Sequence, residues 1–216
     1  AASKRYRFAH QPGIAQWNLL QLANAIYPLV GKAPPLEAAL KTFVDVYQDA
    51  WQTMQAAKLG LPAFEVEQDA SLVNDLLELL PAVETDMTLF YRGLANMVSH
   101  EDDDNVEALK DAYYIPAQID APYRERLDAW VARWRERLQW VGRPGADVAA
   151  SMNAVNPKYV MRNYLAQLAI DKAETGDFSL VHELLDTMRQ PYAEQPKREH
   201  FAEKRPDWAR TRPGCS

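Results

Sequence analysis

A short run near the C-terminal end of the chain comes closest to a metal-binding motif: His182-Glu183-Leu184-Leu185-Asp186. A zinc-binding His-Glu-x-x-His helix places two ligands one turn apart, and here Asp186 stands at the second ligand position. The run lacks the second His and offers no third ligand, which a zinc site needs. Apolar residues recur at three- and four-residue steps through the same stretch, as on the buried stripe of an amphipathic helix. We therefore interpret His182 and Glu183 as the polar flank of that helix.

A second candidate for cation binding is the acidic run Glu101-Asp102-Asp103-Asp104-Asn105. A calcium loop needs a glycine at its sixth position, and the residue after this run is Val106. Without that glycine the pattern is more typical of a solvated acidic turn.

Several arginines crowd one predicted helix, where they could in principle bind phosphate or RNA: Arg124, Arg126, Arg133, Arg135 and Arg137. Acidic residues are interspersed among them, and Trp130 and Trp134 lie one turn apart on the same helix. This pattern favours a buried aromatic face with a salt-bridged outer face.

Arg162 and Asn163 lie beside Tyr159, one turn into a helix predicted to start at Asn156, where they could hydrogen-bond a neighbouring segment or a ligand. A buried arginine in a helical bundle is usually a structural anchor paired with a carboxylate, and we favour that role for Arg162. Asp171 and Asp177 are the candidate partners.

The remaining motif searches find no catalytic apparatus. The chain has no Gly-x-Gly-x-x-Gly and no P-loop, so no phosphate-cradling loop is predicted. Its four histidines, at positions 10, 100, 182 and 200, never share a metal-ligand spacing. We predict no catalytic residue, no cofactor-binding residue and no metal ligand in this sequence.

The sequence pattern predicts that the segments carrying these side chains are helices. Apolar residues follow three- and four-residue steps, and sustained period-two alternation is absent, so we predict an all-α chain of about nine helices in one bundle. The main predicted segments are Ala15 to Val30, Pro34 to Gly60, a Leu-rich helix capped by Asp69, another capped by Asp86, and Ala121 to Val141.

The most strongly specified helix is predicted to start at Asn156-Pro157, with Asn156 as its N-cap and Pro157 at its first position. Gly176 should end it in the left-handed conformation, and Asp177 should cap the next helix. The two helices would then form an antiparallel hairpin.

Composition limits the possible partners. The formal net charge of −6 argues against a nucleic acid or an anionic membrane as partner, and no apolar run is long enough to cross a bilayer. The single Cys215 excludes an internal disulfide and favours a reducing compartment, which we take to be the bacterial cytoplasm. We treat 1–190 as one helical domain and 191–216 as a charged, proline-containing tail that is poorly ordered or draped on the surface.

Several blocks in order along nearly the whole chain resemble the selenoprotein O family. The blocks are Tyr6-Arg7-Phe8-x-x-Gln11-Pro12 with Trp17-Asn18-Leu19-x-x-Leu22-Ala23, Asp86-Met87-Thr88-x-Phe90-Tyr91-Arg92-x-Leu94, Asn156-Pro157-Lys158-Tyr159-Val160-x-Arg162-Asn163, Ala169-Ile170-x-x-Ala173-x-x-Gly176-Asp177-Phe178, and Arg205-Pro206-Asp207-Trp208-Ala209 with Gly214-Cys215-Ser216.

The resemblance implies the C-terminal helical region of a protein-kinase-like fold. It also implies an adenylyltransferase that moves AMP from ATP to Ser, Thr or Tyr hydroxyls of proteins, with Mg²⁺ or Mn²⁺. In that family the nucleotide, metal and catalytic residues precede the Tyr-x-Phe-x-x-Gln-Pro block, at which this sequence starts. We therefore expect this chain to be an inactive scaffold fragment that binds no cofactor, with the missing N-terminal kinase-like half as its partner and protein substrates belonging to the parent.

The end of the chain departs from the family pattern, since members commonly continue to a final Cys or selenocysteine. Cys215 matches the upstream cysteine, and we interpret it as a free thiol on a tail. A competing hypothesis from another class is a non-catalytic helical module that acts by binding a protein.

Overall fold

The computed structural model describes residues 10–99 and 104–212, and the regular secondary structure in these ranges is helical. The α-helices are α1 (Gln11–Val30), α2 (Ala33–Lys58), α3 (Val66–Leu79), α4 (Met87–Met97), α5 (Asn105–Ala108), α6 (Ala121–Gln139), α7 (Gly145–Val155), α8 (Asn163–Glu174), α9 (Ser179–Met188) and α10 (Trp208–Thr211). Short 3₁₀ turns lie at Lys110–Ala112, Pro116–Gln118 and Pro196–Phe201. Within the described ranges the only extended pairing is an isolated bridge between Thr85 and Tyr113, so the all-α prediction is confirmed.

The chain divides into two compact units between Met54 and Gln55. The first unit holds α1 and most of α2. Gly31 separates the two helices in the left-handed conformation predicted for a helix end, with φ of 67°, and its N–H donates to the Tyr27 carbonyl at 2.8 Å.

None of the residues of α1 is buried, although the helix is rich in apolar side chains. Its large exposed apolar residues lie on two sides of the helix: Trp17, Leu20, Tyr27 and Val30 share one face, which we call the apolar stripe, and Leu22 and Leu29 lie opposite. A soluble helix normally buries such a stripe, so this surface is a candidate contact face.

The core of the second unit is organised around two stacked tryptophans of α6. The rings of Trp130 and Trp134 lie 5.9 Å apart and nearly parallel, and both are fully buried. Their indole N–H groups donate to the carbonyls of Leu72 at 2.8 Å and Leu59 at 3.0 Å. The predicted aromatic face of this helix is therefore confirmed, and each indole has the partner that a buried N–H requires.

Arg137 is an exception to the predicted outer face of α6, because it is buried. Its Nε donates to Oδ1 of Asp69 at 2.8 Å, and Asp69 is completely buried on α3. Asp69 lies inside α3 as that helix begins, and its Oδ2 accepts from the Glu65 N–H at 2.7 Å. Asp69 therefore joins α3 to α6 in addition to satisfying a free N–H at the start of the helix.

A glycine allows α7 to approach the end of α2. Gly60 has a φ of +78°, and a Cβ built on it would lie 2.6 Å from Cγ1 of Val148 on α7. Both the left-handed backbone and the close approach therefore require glycine at this position.

A second core cluster joins α8, α9 and the C-terminal segment. Its buried members are Tyr159, Tyr164, Leu165, Ala169, Leu184, Phe201, Ala202 and Ala209. The segment after Arg189 thus contributes buried residues, where the sequence suggested a poorly ordered or draped tail. The division into a domain over 1–190 and a tail over 191–216 stays a prediction.

The predicted start of the central helix is wrong. Asn156 ends α7, and α8 begins only at Asn163. The residues between are held by tertiary contacts, since the backbone N–H groups of Lys158 and Tyr159 both donate to the Pro191 carbonyl, at 2.8 and 3.0 Å. Gly176 does adopt the left-handed conformation, and the Asp177 carboxylate accepts from the Ser179 N–H at the start of α9, as predicted.

No helix in the described part of the chain is long and apolar enough to cross a membrane.

Candidate functional site

A buried ion pair between Asp86 and Arg162 joins two helices of the second unit. Asp86 is 4% exposed, and its two carboxylate oxygens accept from the two terminal nitrogens of Arg162. The same carboxylate accepts from the Tyr114 hydroxyl at 2.9 Å and from the Leu89 N–H at 3.2 Å. A buried carboxylate with four donors is a fully satisfied structural anchor.

Local structure explains how the two partners are presented. Asp86 is the N-cap of α4, as the sequence predicted, and its own N–H donates to the Ala112 carbonyl at 2.7 Å. Arg162 immediately precedes α8, where a positive charge opposes the helix dipole. Asp86 neutralises that charge, and the pair fastens the start of α4 to the start of α8.

The predicted partners of Arg162 are therefore wrong, although its role as a carboxylate-paired anchor is confirmed. Asp171 instead accepts from Gln167 and Arg212, at 2.9 and 2.7 Å. Asp177 accepts from the start of α9 and lies 3.7 Å from Lys172.

Tyr114 and Glu84 connect this pair to the C-terminal segment of the chain. The Glu84 carboxylate accepts from Arg205 at 2.9 Å and from Arg210 at 2.7 Å. Both guanidinium groups also lie over the Tyr114 ring, 5.4 and 5.3 Å from its centroid. Burial is the main cause that raises the pKa of Tyr114, so its hydroxyl stays a hydrogen-bond donor to Asp86.

A neighbouring network links α4 to the segment after α9. Arg92 and Lys158 both pair with Glu194, and Lys158 also pairs with Glu199 at 2.6 Å. Burial acts to lower the pKa of Lys158, but its hydrogen bonds to the two glutamates outweigh that effect and raise it. The hydrogen bond from Lys158 in turn lowers the pKa of Glu194.

Asn156, which follows α7, is joined to Lys58 at the end of α2 by a reciprocal pair of hydrogen bonds. Its Oδ1 accepts from Nζ of Lys58, and its Nδ2 donates to the Lys58 carbonyl, both at 2.9 Å. The Lys58 ammonium also lies 4.5 Å from the centroid of the Tyr91 ring. Burial lowers the pKa of Lys58, and burial raises the pKa of Tyr91 to about 12.

The structure also places the other candidates that the sequence singled out. His182 and Glu183 are exposed on α9, and Asp186 pairs with Arg189 at 2.9 Å. Asp104 caps α5 by accepting from the N–H groups of Val106 and Glu107, while positions 100 to 103 and Cys215 lie outside the described residues.

Arg133 pairs with Asp75 at 2.5 Å on the outer side of α6, as the salt-bridged interpretation predicted. Over residues 10–99 and 104–212, no group of three or more His, Cys, Asp or Glu side chains could hold a metal ion.

These contacts define what the arrangement can do. Its carboxylates and cations pair with one another and with helix ends, so the network positions segments of chain. The sequence found Asp86 and Arg162 as a cap and an anchor, but it gave no signal for Glu84 or Tyr114, which lie outside any motif.

Three of the blocks by which the sequence resembles selenoprotein O meet in this network: those that contain Asp86, Arg162 and Arg205. The family model described as protein adenylyltransferase SelO matches residues 1–189, and the chain belongs to that family. The similarity to selenoprotein O read from the sequence is thereby confirmed.

Curated relatives agree with the family match along the entire chain. A protein nucleotidyltransferase YdiU from Rhodopirellula baltica is 49% identical over 227 residues, covering 100% of this chain and 42% of the relative. Another from Aromatoleum aromaticum is 50% identical over 216 residues, covering 100% of this chain and 40% of the relative. The chain therefore spans about two fifths of the length of the curated relatives it matches.

Proposed function

We propose that this chain is the C-terminal helical scaffold of a longer protein adenylyltransferase with a kinase-like fold. The longer protein would transfer AMP from ATP to Ser, Thr or Tyr hydroxyls of proteins. The observation that carries the proposal is the Asp86–Arg162 pair. This pair joins the block that contains Asp86 to the block that contains Arg162. A role in holding the fold together accounts for both residues without any catalytic function.

We infer that the described residues hold neither the nucleotide nor a catalytic metal ion. The sequence has no glycine-rich phosphate loop, and the described carboxylates form no group that could hold Mg²⁺ or Mn²⁺. We therefore assign no chemical step to this chain, and we place ATP and metal binding in the remainder of the longer protein.

The exposed apolar stripe of α1 supports a partner in the same polypeptide. The matched relatives are more than twice as long as this chain, so most of their sequence lies outside it. We propose that the N-terminal kinase-like half covers this stripe. Burial of apolar surface stabilises a protein by about 25 cal/mol per Å². The contact with α1 would therefore contribute a substantial part of the stability of the whole protein.

A labelling experiment tests the proposal. The isolated chain and the longer protein are each incubated with Mg²⁺, a test protein and ATP labelled at the α-phosphate. We expect transfer of labelled AMP by the longer protein only. Label transferred by the isolated chain would place catalytic groups within it and overturn the scaffold assignment.

The competing hypothesis is a non-catalytic helical module that acts by binding a protein. The same assay separates the two, because a binding module would leave both the chain and its longer form without transfer activity.

A further inference from the structure

The last described segment, residues 203–212, differs from the helical body in structure and in charge. We call it the C-terminal strap. Its only regular structure is α10, a single turn that is too short to be stable by itself. It carries the cations Lys204, Arg205, Arg210 and Arg212 but only two acids, in a chain whose net charge is −6. The strap is therefore a basic segment on a body of opposite charge.

Most polar contacts of the strap reach distant parts of the body. Arg205 and Arg210 share the Glu84 carboxylate, and Arg212 pairs with Asp171 at 2.7 Å. Nζ of Lys204 donates to the Tyr113 carbonyl at 2.6 Å. Salt weakens exposed ion pairs most and partly buried pairs less, and the side chains of Arg205, Arg210 and Arg212 are 23%, 28% and 40% exposed.

The backbone of the strap adds little to this attachment. The Arg205 N–H donates to the Tyr114 hydroxyl at 3.2 Å, whereas the N–H groups of Ala209 and Arg210 donate within the strap itself. Apolar attachment comes from Ala209, which is buried, and from Trp208, whose ring meets Tyr164 edge-on at 6.1 Å.

The two guanidinium groups use only part of their donor capacity on the body. Nε of Arg205 and Nη2 of Arg210 are buried and donate to no protein atom, so these two donors gain no partner in the chain when the strap docks.

We infer that the C-terminal strap is an electrostatic latch, which lifts from the helical body as a unit while the body stays folded. Lifting removes the Arg205 N–H from the Tyr114 hydroxyl and both guanidinium groups from Glu84. It thereby releases one side of Tyr114, the residue whose hydroxyl donates to Asp86. The fixed end of the latch is Phe201, which is buried in the core cluster with α8 and α9.

Hydrogen exchange on the 216-residue chain, read by mass spectrometry, tests the inference. The variant R205Q/R210Q removes both cations that face Glu84, and Glu84→Gln removes the negative charge from the body side, so each abolishes the two ion pairs. The matched control K110Q/R189Q removes two cations whose ion pairs are local and exposed.

We expect peptides from the strap to exchange about tenfold faster in both test variants, the factor that corresponds to about 1.4 kcal/mol. Peptides from α6 should keep their rates, because local opening leaves the core protected. Raising NaCl from about 0.05 M to about 1 M should speed strap exchange in the unaltered chain and in the control, and much less in the test variants.

Two results would overturn the latch. One is a strap that exchanges only as fast as α6 under every condition, because it would then open only by global unfolding. The other is strap exchange that responds to neither salt nor the loss of Glu84.

Discussion

Asp86 and Arg162 lie 76 positions apart in the sequence, yet their side chains form a two-point ion pair that joins the first turns of α4 and α8. The pair is nearly dry, with side-chain exposures of 2% for Asp86 and 13% for Arg162. An ion pair in this position fixes the geometry of two helices because neither charge can be left alone in the interior.

Removing Arg162 should therefore destabilise the chain strongly. We expect Arg162→Ala to lower the free energy of unfolding by about 3–5 kcal/mol, since it leaves the buried Asp86 carboxylate without its cation. Arg162→Lys keeps the charge but loses the two-point contact, so its loss should be smaller. Urea unfolding followed by circular dichroism measures both. The exposed Arg189, which pairs within its own helix end, provides the control, and an Arg162→Ala variant as stable as Arg189→Ala would contradict the anchor.

Two glycines with the same backbone conformation should tolerate alanine differently. Gly60 and Gly142 have φ values of +78° and +64°, but a Cβ meets Val148 only at Gly60, and at Gly142 it meets open space. Gly142→Ala should cost about 1–2 kcal/mol for the left-handed backbone. Gly60→Ala should cost that amount plus about 1–3 kcal/mol for overpacking against α7. Thermal unfolding of the two variants tests the difference, and equal losses would show that α7 gives way freely.

The Glu194 network makes a prediction about acid stability. Because its hydrogen bond to Lys158 lowers the pKa of Glu194 below the ordinary 4.5, the unfolded chain binds the proton more tightly than the folded chain does. The stabilisation is thus present above about pH 4.5 and is lost as the pH falls through the lower folded value. We expect the difference in unfolding free energy between the unaltered chain and Glu194→Gln to be largest near neutrality and to shrink in acid. Urea titrations across that range measure it, and a difference that does not change with pH would exclude the linkage.

The exposed stripe on α1 gives a prediction about assembly. Leu20→Glu places a charge on the apolar stripe, whereas Gln21→Glu adds the same charge at the next exposed position outside it. In the isolated chain we expect Leu20→Glu to reduce the binding of an apolar fluorescent dye. In the longer protein it should reduce thermal stability, because the stripe would have to bury a charge. Gln21→Glu should change neither measurement, and equal effects of the two variants would count against the docking face.

Much of the local structure could be predicted from the sequence. The apolar periodicity of α6 correctly predicted a buried aromatic face, since Trp130 and Trp134 must share one side of a helix. Asp86 was recognisable as an N-cap and Gly176 as a left-handed helix end, because these residue types satisfy needs that exist within a few residues. The ordered family blocks were sufficient for the family assignment, because a series of motifs in register is far more specific than any one of them.

The tertiary structure decided which distant groups meet. Asn156-Pro157 has the local pattern of a helix start, but the Asn156 side chain binds Lys58, and the following N–H groups bind the Pro191 carbonyl. The same holds for the partner of Arg162 and for the strap that reaches Glu84 from 121 and 126 positions away. Periodicity and capping report only on neighbours within a turn or two, whereas these bonds depend on how whole helices pack, and so local sequence rules could not predict them.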